Sequence, residues 1–271
     1  MVYEELIYKK VEDGIVLVTL NRPHRLNAIS ETLQTEIHNV IDQVESDDDV
    51  KVLVITGGPR TDGRPCFCSG ADLFEEATEV GSQENPEKTR LGNIAKYVSG
   101  EGYEAGVAAV CSRLEVLSKP TIAAIDGICT AGGLELALSC DIRVIAETAE
   151  ISDMHIKNLG NIGGSGVTVR LAQTVGAAWA KEIMFTGEAI DVQRAVSIGL
   201  ASYLFSSNTL LDGAISLARK FVPMNPTALS MAKSVINKAA GSERKRRVLR
   251  DSYIASSALG SDNRKWKSRK Y

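Results

Sequence analysis

Pro120-Thr-Ile-Ala-Ala-Ile-Asp-Gly-Ile-Cys-Thr-Ala-Gly-Gly-Leu-Glu-Leu-Ala137 decides how the chain is read. Thr121 to Ile125 is a short apolar run of strand length, and an unbroken run of that kind marks a strand covered on both faces. Gly132 and Gly133 then open a second apolar segment with Leu134, Leu136, Ala137 and Leu138, which reads as a buried helix. The first N–H groups of such a helix have no partner within it and carry partial positive charge. Glycine at this turn lets a ligand reach main-chain nitrogen with no Cβ in the way. Glu135 stands in the first helical turn among apolar neighbours. A buried carboxylate is costly unless paired or hydrogen-bonded, so Glu135 is either an acid/base group of a site or a structural acid held near the positive helix end.

A second glycine-bearing turn lies upstream, in Cys66-Phe-Cys-Ser-Gly-Ala-Asp-Leu73. Taken alone, Ser-Gly-Ala-Asp is ordinary loop chemistry, and Gly-Gly before a helix can serve close packing only. Together, two such turns can aim two N–H groups at one oxygen, which is how an oxyanion hole is built. Around them the chain alternates in period. Ile15 to Leu20, Val50 to Thr56 and Ile142 to Ala146 are apolar, β-branched strand runs. Leu33, Ile37, Val40, Ile41 and Val44 mark one face of a helix that Ser30 is placed to cap. This alternation predicts an α/β fold with parallel sheet layers under helical cover.

Asn21-Arg-Pro-His-Arg-Leu-Asn-Ala28, Phe67-Cys-Ser-Gly-Ala-Asp-Leu73 and the opening stretch, with Asp141 beyond it, resemble the crotonase (enoyl-CoA hydratase/isomerase) superfamily from about residue 5 to residue 240. The resemblance implies a crotonase-like repeated ββα superhelix over residues 1–205. It also implies a helical C-terminal trimerisation region within 206–271, whose basic tail departs from the family's usual ending, and a homotrimer or a hexamer of paired trimers. By position it implies that the N–H groups of Ala71 and Gly132 form the oxyanion hole and that Glu135 is one of two acid/base glutamates. It places Arg25 in the CoA-contacting loop and Ala28, Ser69, Gly70, Asp72, Leu73 and Gly133 around the substrate. The superfamily uses one hole for several reactions. The expected one is lyase chemistry on an acyl-CoA, adding water to an α,β-unsaturated thioester or removing it. The alternatives are an isomerase or decarboxylase working with Glu135 alone, and an RNA-binding or non-catalytic homologue.

The chain departs from the family in Ile151-Ser-Asp-Met-His-Ile-Lys-Asn-Leu-Gly-Asn-Ile-Gly-Gly-Ser-Gly166. Where hydratases of the family carry Pro-Glu, whose Glu is their second catalytic carboxylate, this sequence reads His155-Ile156, and the match needs one inserted residue before Gly160. No carboxylate falls at the expected place in either register. His155 is suited to the missing role because imidazole titrates near neutral pH, or else it satisfies a strand or loop near the pocket. Asp153 reads first as a turn residue, with orientation of His155 as the other option.

The rest bounds the function. With 271 residues, 44% hydrophobic composition and a net charge of −3, the chain can fill a large core. It has no apolar run long enough for a membrane span. Its first residues show no secretion or import pattern. The five cysteines, Cys66, Cys68, Cys111, Cys129 and Cys140, lack metal spacing and read as reduced thiols, so a cytoplasmic enzyme is expected. The sequence shows no metal-ligand cluster and no dinucleotide fingerprint between a strand and a helix, so no metal or redox cofactor is expected, and coenzyme A is part of the substrate. The long Glu75 to Leu117 segment, with Arg90, Tyr97, Tyr103 and Glu104, reads as a wall of the acyl pocket or as a surface loop. The basic tail, Arg244-Lys-Arg-Arg247, Arg250 and Arg264 to Tyr271 with Trp266, reads as a solvated helix face, a CoA-phosphate contact or, less favoured, a nucleic-acid contact.

Overall fold

The computed structural model describes residues 2–73 and 106–239. Arg90, Tyr97, Tyr103, Glu104 and the tail from Arg244 to Tyr271 lie outside the described residues.

Two sheets carry the fold. The larger has six strands in the order β1 (Leu6–Glu12), β2 (Ile15–Leu20), β3 (Val52–Gly57), β5 (Thr121–Ile125), β7 (Ile142–Ala146) and β9 (Tyr203–Phe205). β1 and β2 are antiparallel and every later pair is parallel. The smaller is parallel throughout, β4 (Cys66–Cys68), β6 (Ile128–Thr130) and β8 (Glu150–Ser152). Strands therefore leave the large sheet and enter the small one in succession, β3 to β4, β5 to β6 and β7 to β8, and a helix follows each pair. This is the repeated ββα path that the family resemblance implies.

The expected strands Ile15–Leu20, Thr121–Ile125 and Ile142–Ala146 form over those residues. Their largely apolar character, broken by Thr19 in β2 and Arg143 in β7, has a direct cause. Leu53, Ile55, Ala123, Ile125 and Ile145 face one core, while Val52, Val54, Ile122, Ala124 and Val144 face a second core covered by the helix Leu210–Arg219. Side chains alternate across a strand, so a sheet buried on both faces shows no polar period.

Helix α1 (Glu31–Ser46) starts where Ser30 Oγ accepts the Leu33 N–H at 2.9 Å, and Leu33, Ile37, Val40, Ile41 and Val44 are buried beneath it. α2 (Gly106–Val116) packs on α1 and on α3 (Gly132–Ser139). α3 has all eight of its residues buried. A helix so enclosed offers solvent no polar face, which makes the single carboxylate on it conspicuous. α4 (Val167–Val175) and α5 (Ala177–Thr186) follow, then α6 (Val192–Ser197), α7 (Leu210–Arg219) and α8 (Pro226–Ala239). From residue 206 to residue 239 the backbone is helical or in turns, with no strand.

Candidate active site

The turn after β4 and the start of α3 meet at Gly70. A Cβ on Gly70 would lie 3.1 Å from both the Gly132 nitrogen and the Ala131 Cβ, and a Cβ on Gly132 would lie 3.1 Å from the Ala71 nitrogen. Hydrogen at both positions leaves the Ala71 and Gly132 N–H groups side by side. Among the described residues neither N–H has a hydrogen-bond partner. The neighbouring amides are occupied: Ser69 N–H donates to the Leu26 carbonyl at 3.0 Å, Ile29 N–H to Gly70 at 2.7 Å and Asp72 N–H to Ile29 at 3.0 Å. The strand-like contact between Ile29 and Ala71 thus fixes the turn on both sides of Ala71 while leaving its own N–H free.

Ala131 precedes α3 at φ 51°, ψ −122°, a conformation that disfavours any residue with a Cβ and typically costs about 1–3 kcal/mol. Its carbonyl accepts the Glu135 N–H at 3.0 Å, closing the first turn. Gly133 has a packing reason: a Cβ there would sit 2.2 Å from the Cys68 carbonyl oxygen. Close approach of α3 to β4 is what brings the two free N–H groups together.

Glu135 is 2% exposed. Its Oε1 accepts the Ser165 N–H at 2.8 Å and the Val167 N–H at 3.1 Å, while Oε2 faces His155 Nε2 at 3.9 Å. Burial raises the Glu135 carboxyl above its ordinary range, against the opposing pull of His155 and the two N–H donors. Arg170 fastens the loop that supplies those donors, since its guanidinium donates to the Ser165 carbonyl at 2.5 Å and to Glu115 at 2.9 Å.

His155 is also buried, in a single π-helical turn over His155–Leu159 that ends at Gly160, φ 68°. The sequence match needed one inserted residue before Gly160, and a π turn is the form in which a helix takes up one extra residue. Asp153, expected first to be a turn former, is instead fully buried, with its Oδ1 2.5 Å from His155 Nδ1. Desolvation pulls the imidazole down, but the Asp153 hydrogen bond and the charges of Glu135 and Asp153 outweigh it and raise the ring above its ordinary value. Gly163 lets the following loop lie on the ring, because a Cβ there would be 2.8 Å from His155 Cε1.

The remaining expected residues take different places. Asp72 is 4% exposed, and its carboxylate is engaged by protein: Arg22 Nη1 at 2.9 Å and Arg25 Nε at 3.5 Å. Arg25 stands partly exposed at the rim of this pair, in a short 3-10 turn, Pro23–Arg25. Ala28 gives its carbonyl to Arg22 at 2.7 Å, and Ser69 and Leu73 are half-buried beside the turn. Arg22 and Asn27 went unremarked in the sequence. Asn27 Nδ2 donates to the carbonyls of Gly58 and Cys66, and Arg22 also lies 2.6 Å from Glu5, so the loop at 22–28 is bolted to the turn bearing Ala71. The run Gly163-Gly164-Ser165-Gly166 was the available signal for the amides that hold Glu135.

Among the described residues, no cluster of three His, Cys, Asp or Glu side chains is placed to hold a metal ion, and no helix is long and apolar enough to cross a membrane. A sequence profile for enoyl-CoA hydratase/isomerase matches residues 10–270. The chain is 36% identical to the mitochondrial methylglutaconyl-CoA hydratase of Rattus norvegicus over 241 residues, 86% of this chain and 70% of that protein. It is 34% identical to a short-chain-enoyl-CoA hydratase of Clostridium acetobutylicum over 227 residues, 84% of this chain and 79% of that protein. Among solved structures, an enoyl-CoA hydratase/isomerase from Xanthobacter autotrophicus superposes with a TM-score of 0.80 at 26% identity, covering 97% of this chain and 90% of the other. An enoyl-CoA hydratase from Mycobacterium tuberculosis superposes with a TM-score of 0.74 at 28% identity, covering 94% and 99%.

Proposed function

Because the chain belongs to the enoyl-CoA hydratase/isomerase family, we propose that it is a lyase that adds water to the double bond of an α,β-unsaturated acyl-CoA or removes it. The observation that carries this reading is the meeting of two N–H groups without a partner among the described residues, Ala71 in the turn after β4 and Gly132 at the start of α3, one helical turn before the buried carboxylate of Glu135. A thioester α-carbanion spreads its charge onto the thioester oxygen. Two fixed donors at that oxygen stabilise the enolate more than the starting thioester, and the loss of one such donor typically costs about 100- to 1000-fold in rate. Glu135 moves the proton, a contribution of roughly 100- to 10,000-fold. Its Oε1 is held by two N–H groups, so Oε2 is the oxygen available for transfer.

The names of the relatives supply the first substrates to try, a short enoyl-CoA and a methylglutaconyl-CoA. No cofactor beyond the CoA of the substrate is required. Assembly as a homotrimer or hexamer is supported by α8, where Met231, Val235 and Ile236 stand exposed, with Met224 just before it. Five unpaired, buried thiols fit a reducing compartment, which we take to be the cytoplasm. The test is incubation with enoyl-, methylglutaconyl-, 3-hydroxyacyl- and malonyl-type CoA thioesters in heavy water, with products read by mass spectrometry. Gain of one water on an enoyl substrate is expected. Deuterium at the α-carbon without hydration, or release of carbon dioxide, assigns the hole and Glu135 to isomerase or decarboxylase chemistry instead.

A further inference from the structure

The hydratase reading leaves a chemical requirement unfilled. Addition of water needs one group to take a proton as oxygen bonds to the β-carbon and another to deliver a proton to the α-carbon. Among the described residues, Glu135 is the one glutamate that stands at the site. We propose that the Asp153–His155 pair supplies the second group, with His155 as the acid that protonates the α-carbon and Asp153 as its positioning residue. This rests on the hydratase reading above.

The geometry fixes the arrangement of protons. Asp153 Oδ1 accepts at 2.5 Å from Nδ1, so Nδ1 carries hydrogen and Nε2 is the nitrogen turned toward Glu135. Asp153 comes directly after β8 and is wholly buried, and its Oδ2 has no hydrogen-bond partner among the described residues. A buried carboxylate so incompletely satisfied is retained against its cost of desolvation, and a cation on the ring is what offsets it. The charged groups that act on the ring among the described residues are Glu135 from α3 and Asp153, both negative, and the Gly160–Gly166 loop and α5 bring no other. An imidazolium between two carboxylates is therefore the resting state below the raised value of the ring, and Glu135 is the group left to act as base.

The proton and electron count closes. Glu135 Oε2 takes a proton from water, the water oxygen bonds to the β-carbon, and the π pair of the double bond passes to the thioester oxygen at the Ala71 and Gly132 N–H groups. Nε2 then gives its proton to the α-carbon as the enolate returns its electrons. Glu135 is left neutral and His155 neutral. Transfer of one proton from Oε2 to Nε2, across the 3.9 Å between them, restores the starting state without net uptake from solvent.

The test uses the full-length enzyme with an enoyl-CoA that the wild type hydrates. His155→Gln keeps a donor of similar reach that cannot titrate. It is expected to lower kcat by at least about 100-fold and to remove the alkaline limb of the pH–rate profile. Its dissociation constant for a saturated acyl-CoA should stay within about threefold, since binding energy resides elsewhere. Asp153→Asn removes a charge that holds the ring's proton, so the alkaline limb should move to lower pH, a shift that a merely structural role does not produce. Should His155→Gln fail to fold by melting temperature, Asp153→Asn carries the test alone. An unmoved limb in Asp153→Asn, or a His155→Gln enzyme within threefold of wild type with its alkaline limb intact, overturns the proposal. A wild type that hydrates no enoyl-CoA is a separate outcome and removes the hydratase reading itself.

Discussion

Gly133→Ala tests whether the closeness of α3 to β4 creates the proposed oxyanion hole. The added methyl would lie 2.2 Å from the Cys68 carbonyl oxygen, against ordinary contact beginning near 3.4 Å, a shortfall of 1.2 Å (3.4 − 2.2). Backbone meets backbone here, since the Cys68 carbonyl carbon is 2.8 Å away as well, so no flexible side chain can yield. The helix must withdraw by about an ångström. Overpacking of this kind costs about 1–3 kcal/mol, offset in part by the roughly 1 kcal/mol that alanine gains over glycine in a helix. At about 2–4 °C per kcal/mol for a chain of this size, the melting temperature should fall by several degrees. Gly132 moves with the helix, and misplacement by an ångström costs about 100-fold in rate. Gly63→Ala is the control, because Gly63 sits at φ 81° with nothing within 4 Å. It should lose about 1–2 kcal/mol from backbone strain with kcat/KM unchanged. The assay is calorimetry beside steady-state hydration of an enoyl-CoA. If Gly133→Ala melts lower yet keeps kcat/KM within threefold of wild type, the hole does not depend on this contact and the reasoning is refuted.

Glu135→Gln should lower kcat by at least about 100-fold with KM little changed; near-normal turnover removes the carboxylate from the mechanism. The same variant should melt higher than wild type at pH 8. Folding raises the Glu135 carboxyl, so the folded state prefers it neutral, and that preference costs stability as pH rises from the unfolded value through the folded one; an equal or lower melting temperature at pH 8 contradicts this. Arg22→Gln removes the 2.9 Å partner of the buried Asp72 carboxylate, and breaking a buried pair costs about 3–5 kcal/mol, reduced here because Arg25 still stands 3.5 Å from Asp72; urea denaturation measures it, and a loss under about 1 kcal/mol would deny the clamp. The thiols of Cys66, Cys68, Cys111 and Cys140 are pushed up to about 12 by burial, leaving on the order of one thiolate in 10,000 at pH 8. Native protein should resist iodoacetamide until unfolded; rapid labelling would show that one of these cysteines is accessible and activated.

What the sequence made legible was whatever repeats along the chain or sits in a contiguous motif. Strands β2, β5 and β7 carry largely apolar runs, interrupted by Thr19 and Arg143, because both faces of the large sheet are covered, and α1 announced itself through Ser30 and a five-residue stripe. Ala71, Gly132 and Glu135 were visible because local turn chemistry and the family likeness lie in two short motifs. The partners of those residues were not, since they come from distant positions. Ser165 and Val167 reach Glu135 across a separation of about thirty residues, and no spacing rule links a carboxylate on one helix to the amides before another. For a related reason the sequence puts the turn reading of Asp153 ahead of its orientation of His155, which the buried 2.5 Å contact favours. An Asp two residues before a His is ordinary turn composition, and only burial distinguishes an orienting carboxylate from a solvated one.

The costs in this molecule are distributed in a way that bears on function independently of any likeness. Among the described residues, the three non-glycine residues with positive φ are Leu26, Asn27 and Ala131. All three lie against the hole: Leu26 accepts the Ser69 N–H, Asn27 holds the Cys66 carbonyl, and Ala131 leads into Gly132. The π turn, the buried Glu135 and the half-satisfied Asp153 stand next to it. Each disfavours the folded state, by about 1–3 kcal/mol for a strained residue and by a desolvation penalty for each buried carboxylate. If these were packing accidents they would scatter through a core of this size. Their concentration around two free N–H groups and one exchangeable carboxylate oxygen is what selection for a poised site produces, because marginal proteins retain such penalties only where activity depends on them. That logic also sets the sign of the Glu135→Gln stability prediction: removing a functional charge from an apolar helix should make the fold more stable as it makes the enzyme inert.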